Sequence, residues 1–493
     1  MSDRLHPRRL AQVRPGIRLP AYDRHAHNIG IVHLGIGAFH RAHQAVYLDD
    51  VLALAGGDWR ILAVSVRSGA VHRQLQPQDC LYTVVERGAA NTSYRIIGSV
   101  AEVLVAGVNA AAVIAAMARA TTKLITLTIT EKGYCRGASG GLDLAHPDIV
   151  YDLEHPAQPR GALGLLAMGL RQRRRAAAAP PTLVCCDNLP ENGPMLKRML
   201  LDYAQHLESG LAAWIERELT CPSTVVDRIV PATTADDLAL GAQAIGLSDL
   251  GLVKTEPFTQ WIIEDRFVGA RPDFAVAGVQ LVSDVRPFEA AKLRLLNGSH
   301  STLAYLGSLA GLNFVHEAIA EPDFRSLLQH LMQAELAPTL EPTPDLDLIA
   351  YQEALLQRFA NSALQHRLRQ IAMDGSQKLP QRLLAPLRAR LRAGQSFTAI
   401  ALAIAAWMRY ALGRDEQGVA YSVDDPLAAR LAAIAGVRSA GAAQLSADFL
   451  QLSEVFGEDL SHNPAVVAAI SRQLERLLNH GARATVRRLL AEL

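Results

Sequence analysis

The chain has 493 residues, 50% hydrophobic and 20% charged, with 49 Lys and Arg against 48 Asp and Glu for a formal net charge of +1. That length supports two or three domains with sizeable cores, and the balance argues against a nucleic acid or an anionic membrane as partner. The basic run RQRRR at 171–175 has no interleaved aromatic residues and reads as a solvated helix end.

Five cysteines, Cys80, Cys135, Cys185, Cys186 and Cys221, form neither a disulfide framework nor a CxxC pair, which fits a reducing cytoplasm. They also lack metal-ligand spacing, and no paired His or Glu motif appears, so no metal is expected. The basic leader has no apolar core of signal-peptide length, and the apolar run Ala399–Met408 is too short to span a bilayer.

In chain order, Ile29–Leu34 reads as a buried strand, Gly35 and Gly37 as a tight turn, and the residues after Phe39 as a helix. This is the context in which a glycine turn sets a pyrophosphate at a helix N-terminus, although His40 replaces the third glycine of G-x-G-x-x-G. Arg60–Ser65 reads as the second strand. At its end, where an NAD-binding unit carries an acid, the chain has Val66, Arg67 and Ser68, which leaves NAD against NADP open.

The segments from Leu81 and Ser93 alternate like a hairpin around GAANTS, and Val108–Ala120 reads as a helix. Lys123–Thr130 is a β-branched strand with Glu131 just past its end, on the edge where open parallel sheets bind ligands. Thr182–Cys186 is another short strand; Asn188 at its end either donates to a substrate oxygen or forms an Asx turn. In TVVDRIVP, Asp227 and Arg228 alternate faces, so a sheet covered on both sides buries at least one of them as a paired structural or substrate group.

From about Arg286 the pattern turns helical, with segments at Leu327–Leu336, Asp345–Phe359, Leu383–Ala393, Phe397–Leu412, Pro426–Ile434 and Ala465–Leu478. A DGSQK turn bearing Lys378 interrupts them. The expected class is therefore an α/β Rossmann-like N-terminal domain, residues 1–285, followed by a mostly α-helical C-terminal domain, residues 286–493.

One helix, 287–307, carries polar groups where a core-packed segment should have none: Lys292, Asn297 and His300. At about 100° per residue, Lys292 and His300 lie roughly 80° apart and Asn297 about 60° beyond His300. Desolvation lowers the pKa of such a lysine, so it can exchange a proton at neutral pH, beside an amide that steadies a developing oxyanion. That is equipment for interconverting an alcohol and a ketone without a metal. The plainer reading is a snorkelling lysine and two satisfied core polar groups.

With these residues in hand, the chain resembles the polyol-specific long-chain dehydrogenases, the mannitol dehydrogenase family. The resemblance runs in order through GIGAFHRAHQ from Gly35, TEKGY from Thr130, CDNLPENG from Cys186, TVVDRIVP from Thr224, TEPFTQWIIED from Thr255 and KLRLLNGSH from Lys292. It implies a Rossmann-type domain, a helical C-terminal domain and metal-independent hydride transfer between NAD and a sugar alcohol carbon. By position it implies Lys292 as general base and acid, Asn188 and Asn297 as oxyanion donors, and His300, Asp227 and Lys378 around the substrate. Glu289 would gate proton exchange with water; read from the residues themselves, Glu131 is a second candidate proton relay or a cap of the next turn, and Gly35, Gly37, Phe39 and Arg67 are candidate cofactor contacts, Arg67 being equally a surface residue.

Within the family, mannitol 2-dehydrogenases tend to carry an arginine eight residues before the basic residue of the DGS turn, where this chain has Gln370 with Arg369 adjacent. QIAMDGSQKLPQR and NGSHS look more like the fructuronate reductases, also called D-mannonate oxidoreductases, whose substrate carboxylate Lys378 or Arg382 would bind. The expected partner is a small sugar acid or polyol, and the expected assembly a monomer or homodimer. Competing readings are mannitol or arabinitol oxidation, a non-catalytic nucleotide or sugar-acid sensor, and a lyase or aldolase using Lys292 as a Schiff base.

Overall fold

A computed structural model describes residues 3–137, 140–436 and 441–493. The chain divides into two compact units, Met1–Val285 and Arg286–Leu493.

In the first unit, β1 (Ile29–Leu34), β2 (Arg60–Ser65), β3 (Tyr82–Arg87), β4 (Thr92–Ile97) and β5 (Val100–Val105) are followed by β6 (Leu124–Leu127) and β7 (Thr182–Cys185). The main sheet is parallel in the order β5-β2-β1-β6-β7. Its strands are apolar runs because helices cover both faces, and the strand order reverses between β1 and β6, where such sheets open a ligand crevice. The predicted hairpin is the antiparallel pair β3 and β4, but β3 also pairs in parallel with β9 (Val253–Thr255). A further sheet joins β8 (Thr224–Asp227), β10 (Gln260–Glu264) and β11 (Gln280–Val282).

Two readings need correction here. The run Lys123–Thr130 keeps strand geometry only over Leu124–Leu127, because the amides of Ile129 and Thr130 turn away to donate to Asp187 at 3.0 and 2.9 Å. The tail of the supposed second hairpin strand instead becomes β5 of the main sheet, paired with β2.

The second unit is helical. Thr398–Tyr410 is apolar on nearly every side and therefore lies at the centre of the core, against the long helical stretch Pro464–Glu492, which kinks at Gly481, and Ser299–Leu309. The helix read at 287–307 is continuous but mixed: α over Arg286–Ala291, π over Lys292–Gly298, α again over Ser299–Leu309. Two further π turns, Leu331–Leu336 and Pro380–Leu384, pack against the first. Helices at Gly441–Leu450 and Ser453–Ser461 were not read from the sequence, and Lys378, assigned there to a turn, lies in the short helix Gly375–Leu379.

At the β1 end, Gly35 has φ +100°, and a Cβ there would stand 2.1 Å from the Thr128 carbonyl oxygen. Gly35→Ala should destabilise the protein by at least about 2 kcal/mol, since strain and overlap act together. Gly107, whose added Cβ would meet nothing within 4 Å, should tolerate alanine within about 0.5 kcal/mol. Paired denaturant titrations check both.

Candidate functional site

The first unit contributes a cavity of about 430 Å³ at the C-terminal ends of β1, β2 and β6. Gly35 and Gly37, both expected here, line it, as does Arg67. The Gly37 amide folds back on the Gly35 carbonyl at 2.6 Å, and Gly37 caps the helix Ala38–Ala42. Phe39 is not among the lining residues; its ring stacks on His43 with centroids 4.9 Å apart. Glu131 opens a short 3-10 turn just beyond β6 and is exposed.

Beneath the glycine turn lies a polar network that the sequence reading passed over. His33, inside an apolar strand, meets Thr126 Oγ through Nδ1 at 2.7 Å, and its Nε2 meets Thr128 Oγ at 3.0 Å and the Gly35 carbonyl at 3.1 Å. Thr128 donates to the same carbonyl at 2.8 Å. His33 pairs directly with Thr126 across β1 and β6, so the signal was available: polar residues facing each other on neighbouring buried strands. His40, the residue in place of the third glycine, lays its ring flat on His33 with centroids 3.4 Å apart. Burial pushes His33 down to about 3 and moves His40 the same way, so both are neutral.

CDNLPENG supplies a second organiser. Asp187 accepts from the amides of Ile129 and Thr130 and from Tyr134 Oη at 2.6 Å, fixing the loop after β6, where Thr130 is held at φ 66°. Burial raises its pKa, while those bonds oppose the shift. Asn192 donates to the Asp187 and Thr224 carbonyls, both at 3.0 Å, tying β7 to β8. Asn188, the residue singled out, is exposed at the end of β7. Asp227 ends β8 and is 7% exposed. Its neighbour Arg228 is the structural member of the pair: its guanidinium donates to the Ala42 and Glu256 carbonyls and to Glu86.

The second unit contributes the π turn. Lys292 begins it at 8% exposure, Asn297 is half-buried within it, and His300 follows at 9%. An α-helix sets residues four apart as neighbours, but a π turn bonds i to i+5, so Asn297 comes round toward Lys292. This corrects the spacing expected from a regular α-helix. Gly298 admits the neighbouring π turn, since a Cβ there would stand 3.1 Å from the Arg382 carbonyl oxygen. Arg382 donates to Ser301 Oγ at 2.9 Å and to the Asn297 carbonyl at 3.5 Å. Glu289 lies half-buried one turn before Lys292.

His300 stacks on Phe359 and meets His366 edge-on, both at 5.0 Å. Burial, then His366, Arg382, Arg358 and Lys378, hold its pKa well below the usual range, so it is a neutral imidazole whose protonation nearby cations oppose. Among the described residues, no carboxylate pairs with Arg382. Lys378 bonds the carbonyls of Ile371 and Met373 and lies 3.9 Å from Asp374. Burial lowers the pKa of both cations. Gln370 and Arg369 are exposed, and the Arg369 guanidinium sits 4.6 Å above the Tyr421 ring.

For a metal, Cys135, His146 and Asp148 bring ligand atoms within 4.8 Å of one another. Asp148 is already paired with Arg67, His146 Nδ1 accepts from the Asp148 amide, and burial pushes the Cys135 thiol up to about 11.

Residues 29–276 match the family model described as the mannitol dehydrogenase Rossmann domain, and residues 284–478 the mannitol dehydrogenase C-terminal domain. The chain belongs to the mannitol dehydrogenase family. It is 46% identical to the D-mannonate oxidoreductase of Escherichia coli over 95% of this chain and 97% of that one. It is 39% identical to a mannitol 2-dehydrogenase of Cereibacter sphaeroides over 96% and 98% of the two chains. The solved Pseudomonas fluorescens mannitol 2-dehydrogenase, a ternary complex with NAD and D-mannitol, superposes with a TM-score of 0.86 at 36% identity, covering 99% of this chain and 100% of that one. As an oxidoreductase of this family, the chain acts on a CH–OH group.

The buried imidazole gives a signed pH prediction. With His33 near 3 in the folded state and about 6.5 unfolded, the unfolded chain binds the extra proton between those values. Stability from this residue is therefore complete above about pH 6.5 and falls by at most about 1.4 kcal/mol per unit as pH drops toward 3. His33→Gln should flatten that part of the stability-against-pH curve, measured as the difference between wild-type and variant denaturation free energies.

Proposed function

We propose that the protein interconverts D-fructuronate and D-mannonate with NAD(H). The observation that carries this reading is the set of cations around a neutral His300, with Arg382 unopposed by any carboxylate among the described residues, beside the turn that bears Lys292 and Asn297. A sugar acid brings a permanent carboxylate, and a half-buried cation without a counter-charge is what such a group pairs with. The 46% identity to a D-mannonate oxidoreductase and the motif around DGSQK support the same substrate class.

When bound, a nicotinamide nucleotide would supply the hydride for the ketone carbon, while Asn297 and Asn188 donate to the substrate oxygen as charge gathers there. Lys292 in its ammonium form then delivers the proton, and as neutral amine it takes the proton back in oxidation. His300 holds a neighbouring hydroxyl, with Asp227 and Lys378 as further substrate contacts, and Glu289 returns Lys292 to its starting protonation state. The cofactor half rests on the glycine turn, the cavity at the β1, β2 and β6 ends, and the likeness to an enzyme solved with NAD.

A second reading, mannitol-type ketose and polyol interconversion, draws on the 39% identity to a mannitol 2-dehydrogenase. A spectrophotometric screen of fructuronate, tagaturonate, fructose and xylulose against NADH and NADPH discriminates the two. Fructuronate with NADH should give the highest kcat/KM, and a preference for fructose would install the second reading. Arg382→Ala should erode fructuronate turnover far more than fructose turnover.

Lys292→Ala should lose several orders of magnitude in kcat at neutral pH and regain part of it with small exogenous amines; unchanged turnover would remove the lysine from the chemistry. Asn297→Ala should cost about a hundredfold in kcat, whereas a change confined to KM would assign it to ground-state binding. Borohydride should trap no lysine adduct with substrate, in contrast to a Schiff-base enzyme.

A further inference from the structure

The end of β2 lacks the acid by which NAD-binding units hold the adenosine ribose: the chain there runs Ser65, Val66, Arg67, Ser68, and all of these line the cavity. Left alone, Arg67 would favour the 2′-phosphate of NADP, since an arginine at this place accommodates that group. It is not left alone. Asp148 is the one carboxylate among the cavity's lining residues, and its Oδ2 accepts from Arg67 Nη2 at 2.7 Å.

The two partners differ in how firmly they are held. The Arg67 side chain is 73% exposed and the Asp148 side chain 29%. Asp148 lies in the first turn of the helix Pro147–Glu154, with its amide donating to His146 Nδ1 at 3.2 Å, so the carboxylate is the fixed element and the guanidinium the adaptable one. Among the described residues, only Oδ2 of Asp148 is engaged; Oδ1 remains to accept from a hydroxyl on the cavity side. The serines nearby are committed locally, Ser65 donating to the Ser68 carbonyl and Ser68 Oγ accepting from the Ala70 amide at 3.1 Å.

We infer that Asp148 is the residue that selects NAD over NADP, supplying from a neighbouring helix the carboxylate missing at the end of β2. It accepts from the ribose hydroxyls, neutralises Arg67, and repels a phosphate at the 2′ position. This rests on the nicotinamide dependence proposed above and adds the residue that decides which nicotinamide nucleotide is bound.

Equilibrium titration of the full chain with NADH and NADPH, followed by nicotinamide fluorescence, tests it without requiring turnover. The wild type should bind NADH more tightly. Asp148→Asn should raise the NADPH to NADH affinity ratio by at least about tenfold, because Arg67 is then unopposed. Adding Arg67→Gln to that variant should take the gain away, a reversal that a merely structural role for Asp148 would not produce. Asp148→Ser, suited to a first helical turn, repeats the test should the amide variant fail to fold. A wild type that binds NADPH as tightly as NADH, or a ratio unmoved in both Asp148 variants, overturns the inference alone. A wild type that binds neither nucleotide overturns the nicotinamide reading on which it stands.

Discussion

The close backbone approach of Gly35 to the Thr128 carbonyl is the constraint on which the nucleotide cavity depends. Only a residue without a Cβ fits there, and only in a left-handed conformation. The turn carries a carbonyl that a buried strand pair would otherwise leave short of donors, and His33 and Thr128 both meet it. The histidine that replaces the last glycine of the fingerprint is fully buried and lays its ring on that of His33. The same neutral imidazoles make the turn sensitive to acid, because protonating either would place a charge in a fully enclosed site.

A parallel logic governs the second unit. Its central helix is almost wholly apolar, so the polar groups of Ser299–Leu309 find partners only within the helix itself or in neighbouring turns, and the buried hydroxyls of Ser299 and Ser308 find none among the described residues. Thr302 finds one by donating to the Gly298 carbonyl at 2.9 Å, and Ser301 by accepting from Arg382. Arg382 thus stands in two relations, as a donor to the helix that carries the candidate chemistry and as an uncompensated charge beside His300.

The fold was largely legible in the sequence because its signals are local. Apolar strand runs, the glycine turn and the 3.6-residue period each act over a few residues, and Ile29–Leu34 and Arg60–Ser65 match the observed strands end to end. Lys292, Asn297 and His300 were legible for a related reason, as polar residues on an apolar helix. What escaped depends on contacts between distant segments. Asp187 organises amides 57 and 58 residues away, Asp148 meets Arg67 across 81 residues, and His366 faces His300 through the fold. Neither the partner nor the geometry of such a group is written in its own neighbourhood. The π geometry escaped because periodicity arguments assume one uniform helical step.

That non-uniform step has a mechanical consequence. A turn that bonds i to i+5 holds one residue more than its neighbours, so the helix faces before Lys292 and after Gly298 are out of phase with each other. Deleting one residue between them would let the turn close as a regular α-helix with the stretches before and after it still facing as they do, but the side chains the turn carries would lose their present spacing. The surplus residue works as a shim that sets the spacing of the turn's own side chains, Lys292 and Asn297 among them.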